Sequence, residues 1–488
     1  MISGTEADKI NAMCSVNSIS LDQVFNPRSV AIVGASPDNV LSFSGWAIES
    51  LKKAGFPTIY PVNPRHTEAF GLPCYPSVSA IPGPVDHVVV SIPAGRVLEL
   101  LDDCAHKGVQ SVHFFTAGFS ESGEKDRIEL EKNMLLKARQ CNFRIIGPNC
   151  VGLYIPGAKF TLASRMPMEP GCVAFMSQSG GHAQDMPLHA GMRGIRFSKV
   201  ISYGNALDID ECELLDYFAD DPETEIIAAY IEGVRDGRRF RSILERAAAR
   251  KPVVIYKGGI TQAGLKAARS HTASLTSSVR VFQSLCRQCN AILVYDVQEL
   301  IDVLVALTFA RPFPKGYGIG VMGVGGGPTV QASDQMEAAG LRLVSIPPGI
   351  GAEMRQWLPA AGAIFTNPLD ATNLIYPDII QKTMLALGKI SDLHMFMYHM
   401  GFHPVSRWGE GRFANDFFIK PVIEAFDTAR KTTGKPVILA LGLASDMAGT
   451  QERLQIQEAM VKAGLPVFGN IDKAAVAMAR LGNWNIRR

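Results

Sequence analysis

Short apolar runs alternate with amphipathic stretches through the first third of the chain. The apolar runs begin in FNPRSVAIVGAS and recur at TIYPV (58–62), DHVVVSI (86–92), SVHFFTA (111–117) and FRIIG (143–147). RVLELLDDCAHKG and RIELEKNMLLKARQC, which lie between such runs, have the apolar spacing of amphipathic helices. This alternation predicts a doubly wound parallel sheet, and ligands of such sheets lie at the carboxyl ends of the strands.

Beyond residue 170 one pattern occurs twice. CVAFMSQSGGHAQDMPLHAGM (172–192) and YGIGVMGVGGGPTVQASDQMEAAGL (317–341) both run from an apolar strand through a glycine-rich turn into a helix. EIIAAYIEGV and PVVIYKGG of the first copy then correspond to HMFMYHMGF and PVILALG of the second. The repetition predicts two α/β modules of about 150 residues each. Prolines and a glycine in ARPFPKG (310–316) place the boundary between them.

The composition is that of a globular protein. Hydrophobic residues make up 47% of the 488 residues and charged residues 19%, and the net charge of +2 gives no general attraction to nucleic acid or membranes. No apolar run approaches the roughly 18 residues that span a bilayer, and the N-terminal segment is polar, without a signal-peptide core. These features predict a cytoplasmic protein without nucleic-acid or membrane partners.

Cysteine and histidine spacing does not indicate a metal site. Nine cysteines in a chain of this length are not a disulfide framework. Cys286 and Cys289 form a C-x-x-C in a helical pattern without a second pair, which favours helix packing over zinc binding. His394, His399 and His403 lie in an apolar run typical of a strand leading into a loop, without an obvious carboxylate or cysteine companion for metal binding. We therefore predict no metal ligands in the chain.

One histidine has a different context. KAARSHTASL (266–275) places His271 among small residues, after a strand-like run and before a helical pattern. A neutral imidazole is nucleophilic at pH 7 and can carry a transferred group, although a surface histidine without a role also fits this loop. The duplication aligns Glu232 with Met400, and only the first copy has both an acid and this histidine. Glu232 is the predicted acceptor of the imidazole N–H of His271.

Glycine-rich turns precede two of the predicted helices. The turn SQSGG contains Ser179, Gly180 and Gly181, and GVGGGPT contains Gly325, Gly326 and Gly327. Because a helix N-terminus presents free N–H groups and partial positive charge, each turn is suited to a phosphate, although tight strand-to-helix packing is an alternative. Neither turn is a P-loop, since no Gly-Lys-Ser/Thr follows.

The first predicted strand ends in a GAS turn at residues 34–36. The spacing after Gly34 does not match G-x-G-x-x-G, and the next strand ends in a segment containing Asn63 and Arg65 instead of the acidic residue that binds the NAD ribose. NAD is therefore disfavoured. An arginine at this position suits a phosphorylated ribose, which occurs in both NADP and coenzyme A.

Taken together, the motifs resemble those of the α-type subunits of the nucleoside-diphosphate-forming (ADP-forming) acyl-CoA synthetases, in the succinyl-CoA synthetase superfamily. The resemblance extends from residue 21 to near the C-terminus and is carried by FNPRSVAIVGAS, YPVNP, GLPCYPSV, TAGFSESGE, IGPNCVGL, VAFMSQSGG, SYGNALDIDE, YIEGVRDGRRF, SHTAS, GGGPTVQA and NPLD. It implies a polar tail over residues 1–20 and a Rossmann-like CoA-binding domain over 21–165. Two flavodoxin-like ligase domains would follow, over 166–312 and 313–488.

The resemblance also implies residue roles. His271 would be a phosphohistidine steadied by Glu232, and the two glycine-rich turns would hold the phosphoryl group. Asn149 and Cys150 would lie near the thioester. The implied CoA site comprises Gly34, Ala35, Ser36, Asn63, Arg65, Ile92, Pro93, Ala117 and Gly118.

Two loops depart from the family pattern. Ala273 follows Thr272 where the family often has glycine, and residues 36–45 lack the lysine–glycine pair often seen in the CoA loop.

The implied activity converts a carboxylic acid, CoA and ATP into acyl-CoA, ADP and phosphate through an acyl phosphate and the phosphohistidine. The chain has no segment left for an ATP-grasp domain, so ATP or ADP and Mg²⁺ are expected on a separate β-type subunit in a hetero-oligomer. An NADP-dependent oxidoreductase and a non-catalytic CoA-binding regulator are the alternatives.

Overall fold

The computed structural model describes residues 19–37, 41–266, 278–358, 364–402, 418–444 and 446–488. Within these ranges the protein is an α/β fold with three main sheets in which most strands are parallel. The α/β class predicted from the alternating pattern is therefore confirmed. The chain divides into two compact units, of which the first runs to Gly191 and continues from Arg196 to Leu293. The second consists of Met192–Ile195 and Val294–Arg488.

The first sheet uses the runs expected from the sequence. Its region contains β1 (Val30–Val33), β2 (Ile59–Val62), β3 (Glu68–Ala69), β4 (Leu72–Pro73), β5 (His87–Val90), β6 (Ser111–Phe114) and β7 (Arg144–Ile146). The order is β2-β1-β5-β6-β7, while β3 and β4 form a separate antiparallel pair. The helices here are α1 (Leu21–Phe25), α2 (Phe43–Ala54), α3 (Val97–Lys107) and α4 (Lys125–Gln140). All four residues of β1 are buried, as expected for a parallel strand covered on both faces.

The second sheet follows in the same unit. Its strands are β8 (Leu153–Ile155), β9 (Phe160–Thr161), β10 (Val173–Ser177), β11 (Phe197–Ser202), β12 (Ile226–Ile231), β13 (Val253–Lys257) and β14 (Ile292–Val294). Their order is β14-β13-β12-β10-β11-β8-β9. The helices are α5 (Gly180–Gly191), α6 (Glu211–Asp220), α7 (Gly237–Arg250) and α8 (Val279–Gln288).

A short hairpin joins the first sheet region to the second. Strands β8 and β9 precede the first glycine-rich turn in sequence, yet β8 pairs antiparallel with β11, with Val200 opposite Tyr154. Arg144 of β7 also forms ion pairs with Asp208 at 2.8 Å and Glu213 at 2.7 Å, both of which belong to the segment around α6. The hairpin therefore belongs to the second sheet, and the Arg144 ion pairs connect β7 of the first sheet to the segment around α6.

The third sheet lies in the second unit. Its strands are β15 (Gly318–Gly323), β16 (Arg342–Leu343), β17 (Leu369–Asp370), β18 (Met395–Phe402), β19 (Val437–Ala444) and β20 (Val467–Phe468). They are ordered β16-β15-β18-β19-β20, and β17 also pairs with β15. The helices are α9 (Val297–Phe309), α10 (Gly326–Ala339), α11 (Pro348–Met354), α12 (Pro377–Gly388), α13 (Lys420–Thr433), α14 (Met447–Lys462) and α15 (Ile471–Arg487).

All three sheets repeat one strand order. Without the antiparallel hairpin β8–β9 and the two-residue β17, which pairs with β15 off the main path, each sheet has its first strand in sequence between its second and its third, the 2-1-3-4-5 order of flavodoxin-like folds. In the two repeated modules, β10 and β15 are the first strands and β12 and β18 the third. This equivalence agrees with the duplication read from the sequence, which aligns Glu232 with Met400.

The C-x-x-C segment has the predicted structure. Cys286 lies within α8 and Cys289 caps its C-terminal end, and both side chains are buried. The prediction of helix packing for this pair is confirmed.

Candidate functional site

The GAS turn packs closely against the residue that follows β5, the strand next to β1 in the first sheet. Gly34 has a φ of 94°, and a Cβ at this position would lie 2.5 Å from the carbonyl oxygen of Ser91. Only glycine allows this approach without displacing the backbone. The Gly34 N–H donates to the carbonyl of Val62, so the turn is fixed between β2 and β5 at the point where the strand order reverses.

A hydrogen-bonded asparagine joins the GAS turn to the arginine predicted for the CoA site. Asn63 donates from Nδ2 to the carbonyl of Ala35 at 2.6 Å, and its Oδ1 accepts from the N–H of Arg65 at 3.0 Å. Arg65 is exposed. Its guanidinium is therefore presented to solvent at the carboxyl edge of the first sheet.

The remaining predicted CoA residues follow the next two strands at the same edge. Ile92 and Pro93 follow β5, and Ala117 and Gly118 follow β6. The hydroxyl of Thr116 donates to the carbonyl of Ile92 at 2.7 Å, which connects the two loops. The Gly118 N–H donates to Glu121 at 2.6 Å. The structure thus places all nine predicted CoA residues along one edge.

An aromatic pair at this edge was not anticipated from the sequence. Phe43, at the start of α2, stacks on Phe115, with ring centroids 3.7 Å apart and planes 4° from parallel. Phe115 is 38% exposed directly after β6. The sequence placed Phe115 inside the predicted run at residues 111–117, whereas the strand ends at Phe114, and the partner Phe43 comes from another element. Exposed apolar area beside backbone N–H groups fits a ligand such as CoA, which combines an apolar arm with phosphates.

The GPNC turn lies between the CoA edge and the second sheet. Cys150 is buried, and burial raises the pKa of its thiol well above the ordinary value, so the thiol remains protonated at neutral pH. Its carbonyl oxygen lies 3.0 Å from Nε2 of His113. The next residue, Val151, donates its N–H to Ser202 at 3.3 Å, and a Cβ on Gly180 would lie 3.2 Å from Cγ1 of Val151. The GPNC turn therefore adjoins the first glycine-rich turn.

The first glycine-rich turn leads from β10 into α5. Ser177 donates its hydroxyl to the carbonyl of Ser179 at 2.7 Å, and the Ser179 hydroxyl accepts from the N–H of His182 at 3.3 Å. Helix α5 begins at Gly180, so Gly180 and Gly181 form its first turn. Backbone N–H groups in a first turn have no partners within the helix and favour an anion.

Glu232 lies beside this turn. Oε1 of Gln178 accepts from the N–H of Gly233 at 3.0 Å and also from the N–H of Glu232, which fixes the end of β12 against the turn. The Glu232 side chain is only 4% exposed, and the hydroxyl of Tyr230 donates to its Oε1 at 3.2 Å. Burial raises the pKa of Tyr230 well above its ordinary value, and Glu232 raises it further, so the phenol keeps the donated proton.

A buried lysine lies close to the same glutamate. Lys257, the last residue of β13, donates from Nζ to the carbonyl of Glu232 at 2.6 Å and to the carbonyl of Gly258. Burial lowers the pKa of Lys257, although the Glu232 charge opposes this shift. The segment towards His271 departs from β13 at this point, and His271 itself lies outside the described residues.

The second glycine-rich turn has a different neighbour. Gly325 precedes α10, which begins at Gly326 and Gly327, and its N–H donates to Oδ1 of Asp370 at 2.8 Å. His399 of β18 lies opposite Gly323 in the sheet register and is 4% exposed. Asp370 belongs to the NPLD motif. This turn lies in the second unit, whereas Ser179, Glu232 and the CoA edge lie in the first.

Neither a cluster of metal ligands nor a membrane-spanning helix occurs within the described ranges. Across the parts of the chain that the structure describes, no group of three or more His, Cys, Asp or Glu residues could hold a metal ion. His403, one of the three histidines weighed as ligands, falls outside those parts. In the same residues, no helix is both long and apolar enough to cross a membrane.

Three family profiles match the chain in succession. A CoA binding domain matches residues 28–156, a succinyl-CoA ligase like flavodoxin domain matches 170–307, and a ligase-CoA domain matches 319–478.

Individual relatives extend the comparison. The chain is 37% identical over 351 residues to the α subunit of acetate–CoA ligase (ADP-forming) II of Pyrococcus furiosus, covering 72% of this chain and 76% of that one. It is 35% identical over 361 residues to acetate–CoA ligase (ADP-forming) I of Archaeoglobus fulgidus, covering 72% of this chain but only 50% of the relative.

A solved structure matches nearly the whole chain. It is the dinucleotide-forming acetyl-coenzyme A synthetase 1 of Ca. Korarchaeum cryptofilum, in complex with phosphate and ADP. The TM-score is 0.81 at 31% sequence identity, and the match covers 96% of this chain and 97% of the other.

Proposed function

The chain belongs to the ADP-forming acyl-CoA synthetases of the succinyl-CoA synthetase superfamily, an acid-thiol ligase family in which it is an α-type subunit, and we propose that it carries the phosphohistidine of that reaction. The complete enzyme would interconvert a carboxylic acid, CoA and ATP with acyl-CoA, ADP and phosphate. Acetate is the proposed first acid to test, because the relatives from P. furiosus and A. fulgidus are named for acetate.

One structural observation carries the proposal. The N-terminus of α5, the Glu232 carboxylate and the exit of β13 towards His271 converge at the carboxyl edge of the second sheet. An anion at the helix N-terminus and a cationic imidazole near Glu232 are both favoured by this charge arrangement. The adjoining GPNC turn connects this region to the edge proposed for CoA.

The CoA site would use the carboxyl edge of the first sheet. Arg65 would pair with the phosphorylated ribose, and the loops at residues 34–36, 92–93 and 117–118 would contact the diphosphate and the pantetheine arm. Phe115, which stacks on the buried Phe43, adds an apolar surface beside these loops. The GPNC turn with Asn149 would then lie at the thioester end.

The proposed reaction has three reversible displacements. A phosphate oxygen attacks the thioester carbonyl, the carbon–sulfur bond breaks, and CoA leaves as the thiolate. His271 then attacks the phosphorus of the acyl phosphate and releases the carboxylate. Finally an ADP oxygen takes the phosphoryl group from His271 and forms ATP. The histidine divides one difficult transfer into two easier ones. Glu232 would stabilise the imidazole while it is cationic.

The nucleotide step is assigned to a partner subunit. We propose that an ATP-grasp β-type subunit binds ATP or ADP with Mg²⁺ and forms a hetero-oligomer with this chain. The P. furiosus relative of similar extent is named an α subunit, while the chain spans half of the A. fulgidus relative. Both facts fit an enzyme whose nucleotide-binding part is either separate or fused.

We propose the domain limits 21–165, 166–312 and 313–488, after a tail over residues 1–20. The three family matches, at residues 28–156, 170–307 and 319–478, each fall within one of these ranges.

Phosphoryl capture tests the function without a partner subunit. The purified chain, given acetyl-CoA and radiolabelled phosphate, should acquire a label that is acid-labile and alkali-stable. His271→Ala should acquire none. Glu232→Gln should be labelled about 10- to 150-fold more slowly, the equivalent of a lost charge-assisted contact of about 1.5–3 kcal/mol. Glu245→Gln, an exposed change on α7, is the control and should match wild type. Equal labelling of wild type and His271→Ala would refute the proposal.

A further inference from the structure

His182 immediately follows the first glycine-rich turn and contacts two tyrosines. Its ring centroid lies 4.4 Å from that of Tyr230 and 5.8 Å from that of Tyr256. The two tyrosine rings are themselves 4.9 Å apart. These three side chains, from α5, β12 and β13, form one packed group, which we call the ring cluster.

The ring cluster reaches Glu232 through one hydrogen bond. The hydroxyl of Tyr230 donates to Oε1 of Glu232 at 3.2 Å, so any shift of the Tyr230 ring moves the donor away from the carboxylate. The chain leaves room for this hydroxyl at Gly258, where a Cβ would lie only 2.6 Å from it. His182 packs on the tyrosine ring and thereby restricts its position.

The main chain of His182 belongs to the anion-binding turn itself. Its N–H donates to the Ser179 hydroxyl at 3.3 Å, at the N-terminus of α5. The residue therefore connects the turn to the carboxylate: its backbone closes the turn and its side chain supports the tyrosine that contacts Glu232.

We propose that His182 is a positioning residue of the phosphoryl-transfer site, which holds Tyr230 against Glu232 and takes up a proton when a phosphoryl anion enters the turn at residues 179–181. This inference rests on the proposed function, because it assigns a second ionisable group to the same site. His182 is not itself required to carry the phosphoryl group.

The charges around the ring support proton uptake. Burial lowers the pKa of His182, while Asp185 and Glu232 oppose that shift. The charged groups that act on it are Asp185 from its own helix and Glu232 at the end of β12, and Tyr230 and Tyr256 pack on the ring. Lys257 of β13 donates to the carbonyl of Glu232. The imidazole is therefore neutral at neutral pH when no anion is present. A nearby dianion favours the protonated form and would raise the pKa of this ring.

Two substitutions separate packing from charge. His182→Phe keeps an aromatic ring against Tyr230 but cannot be protonated, whereas His182→Ala removes both features. His189→Phe is the matched control, because His189 lies on the same helix, where it is exposed.

Histidine-selective NMR of the full-length chain measures the proton directly. Titration with inorganic phosphate, compared with sodium chloride at equal ionic strength, should raise the pKa of one histidine by about one unit. The responding resonance should disappear in His182→Phe and persist in His189→Phe. If phosphate leaves the titration of His182 unchanged, proton uptake is ruled out.

Labelling with acetyl-CoA and radiolabelled phosphate measures the positioning role. His182→Phe should match wild type at pH 8.5 and be labelled about tenfold more slowly at pH 6, because only the protonated ring is missing. His182→Ala should be slow at both pH values, as should Tyr230→Phe, which removes the hydrogen bond to Glu232. Wild-type rates in His182→Ala at both pH values would overturn the positioning role.

The two proposals can fail separately. If wild type acquires no label on His271, the proposed function is wrong, whatever phosphate does to His182. If His271 is labelled but His182→Phe has the pH profile of wild type, the function stands and this inference is wrong.

Discussion

Arg65 is the residue expected to distinguish CoA from dephospho-CoA, which lacks the ribose phosphate. It is exposed at the carboxyl edge of the first sheet, and its backbone is fixed by Oδ1 of Asn63 at 3.0 Å. This bond uses the backbone N–H of Arg65 and not its guanidinium, which has the planar donor geometry that suits a phosphate. The chain therefore presents an arginine from a fixed backbone position.

We expect Arg65→Ala to weaken CoA binding by about 1–3 kcal/mol and to leave dephospho-CoA binding nearly unchanged, since only CoA carries the ribose phosphate. Calorimetry with both ligands measures the difference. Arg28→Ala is the matched control, because Arg28 is exposed just before β1, at the amino end of that strand. Equal losses for both ligands would show that Arg65 does not contact that phosphate.

Single residues at strand ends and glycine turns could be predicted from the sequence more readily than the side chains that contact them. Glu232 could be predicted as a candidate site residue because it follows an apolar run and because the aligned position of the second copy is Met400. The positions of the turns at residues 179–181 and 325–327 could be predicted because their glycines lie between an apolar run and a helical pattern, and a helix begins at each turn; their phosphate-binding role stays a prediction. His182 was missed: its ring contacts come from three elements, and no local spacing encodes them.

Neighbouring strands of the first sheet carry a pair of buried histidines. His87 of β5 and His113 of β6 are stacked with ring centroids 6.2 Å apart. Burial lowers the pKa of His113 from its ordinary value of 6.5 to about 4, although its bond to the Cys150 carbonyl opposes the shift. Burial also lowers the pKa of His87 well below the ordinary range, and His113 lowers it further. Both rings are neutral in the folded protein at neutral pH.

This pair should make the first unit sensitive to acid. Because the folded pKa of His113 lies below the unfolded value, its contribution to stability is complete above about pH 6.5 and is lost as the pH falls towards about 4. The loss over that window is about 3 kcal/mol for His113. His113→Gln should flatten the dependence of the thermal midpoint on pH, measured from pH 7.5 to 5. His106→Gln, an exposed change on α3, should keep the wild-type slope. An unchanged slope in His113→Gln would contradict the prediction.

The positions of the strands could be predicted more accurately than the pairing between strands. The five apolar runs of the first third all contain the strands of the first sheet, because parallel strands buried on both faces are continuously apolar. The hairpin β8–β9 was not predicted from the sequence, because its strands have only three and two residues. Its pairing with β11 depends on contacts distant in sequence, which local patterns do not report.

The whole molecule repeats one sheet topology three times, and the proposed activities are distributed over the sheets. The first presents the edge proposed for CoA, the second the edge with α5 and Glu232, and the third the turn beside Asp370. The duplication could be recognised from the sequence because strands, glycine turns and helices recur in the same order. The first sheet has the same strand order, but this could not be recognised from the sequence because its turn residues differ from those of the two repeated modules.

The isolated chain should complete only part of the reaction. With acetyl-CoA, phosphate, ADP and Mg²⁺ it should form the phosphoenzyme but no ATP, because the nucleotide step is assigned to the partner. Adding a purified ATP-grasp subunit should produce ATP, and the two proteins should elute together in size-exclusion chromatography. His271→Ala should abolish this restored activity without preventing co-elution. Robust ATP formation by the 488-residue chain alone would show that it binds the nucleotide itself.

The hairpin β8–β9 also constrains how such genes can be rearranged. It precedes the first repeated module in sequence, yet it extends the sheet of that module beyond β11. Recombination with a breakpoint between residues 161 and 173 would separate two edge strands from the sheet they complete and expose the backbone of β11. Where such genes have been split or recombined, the regions that form the first and second sheets are therefore expected to stay together on one chain.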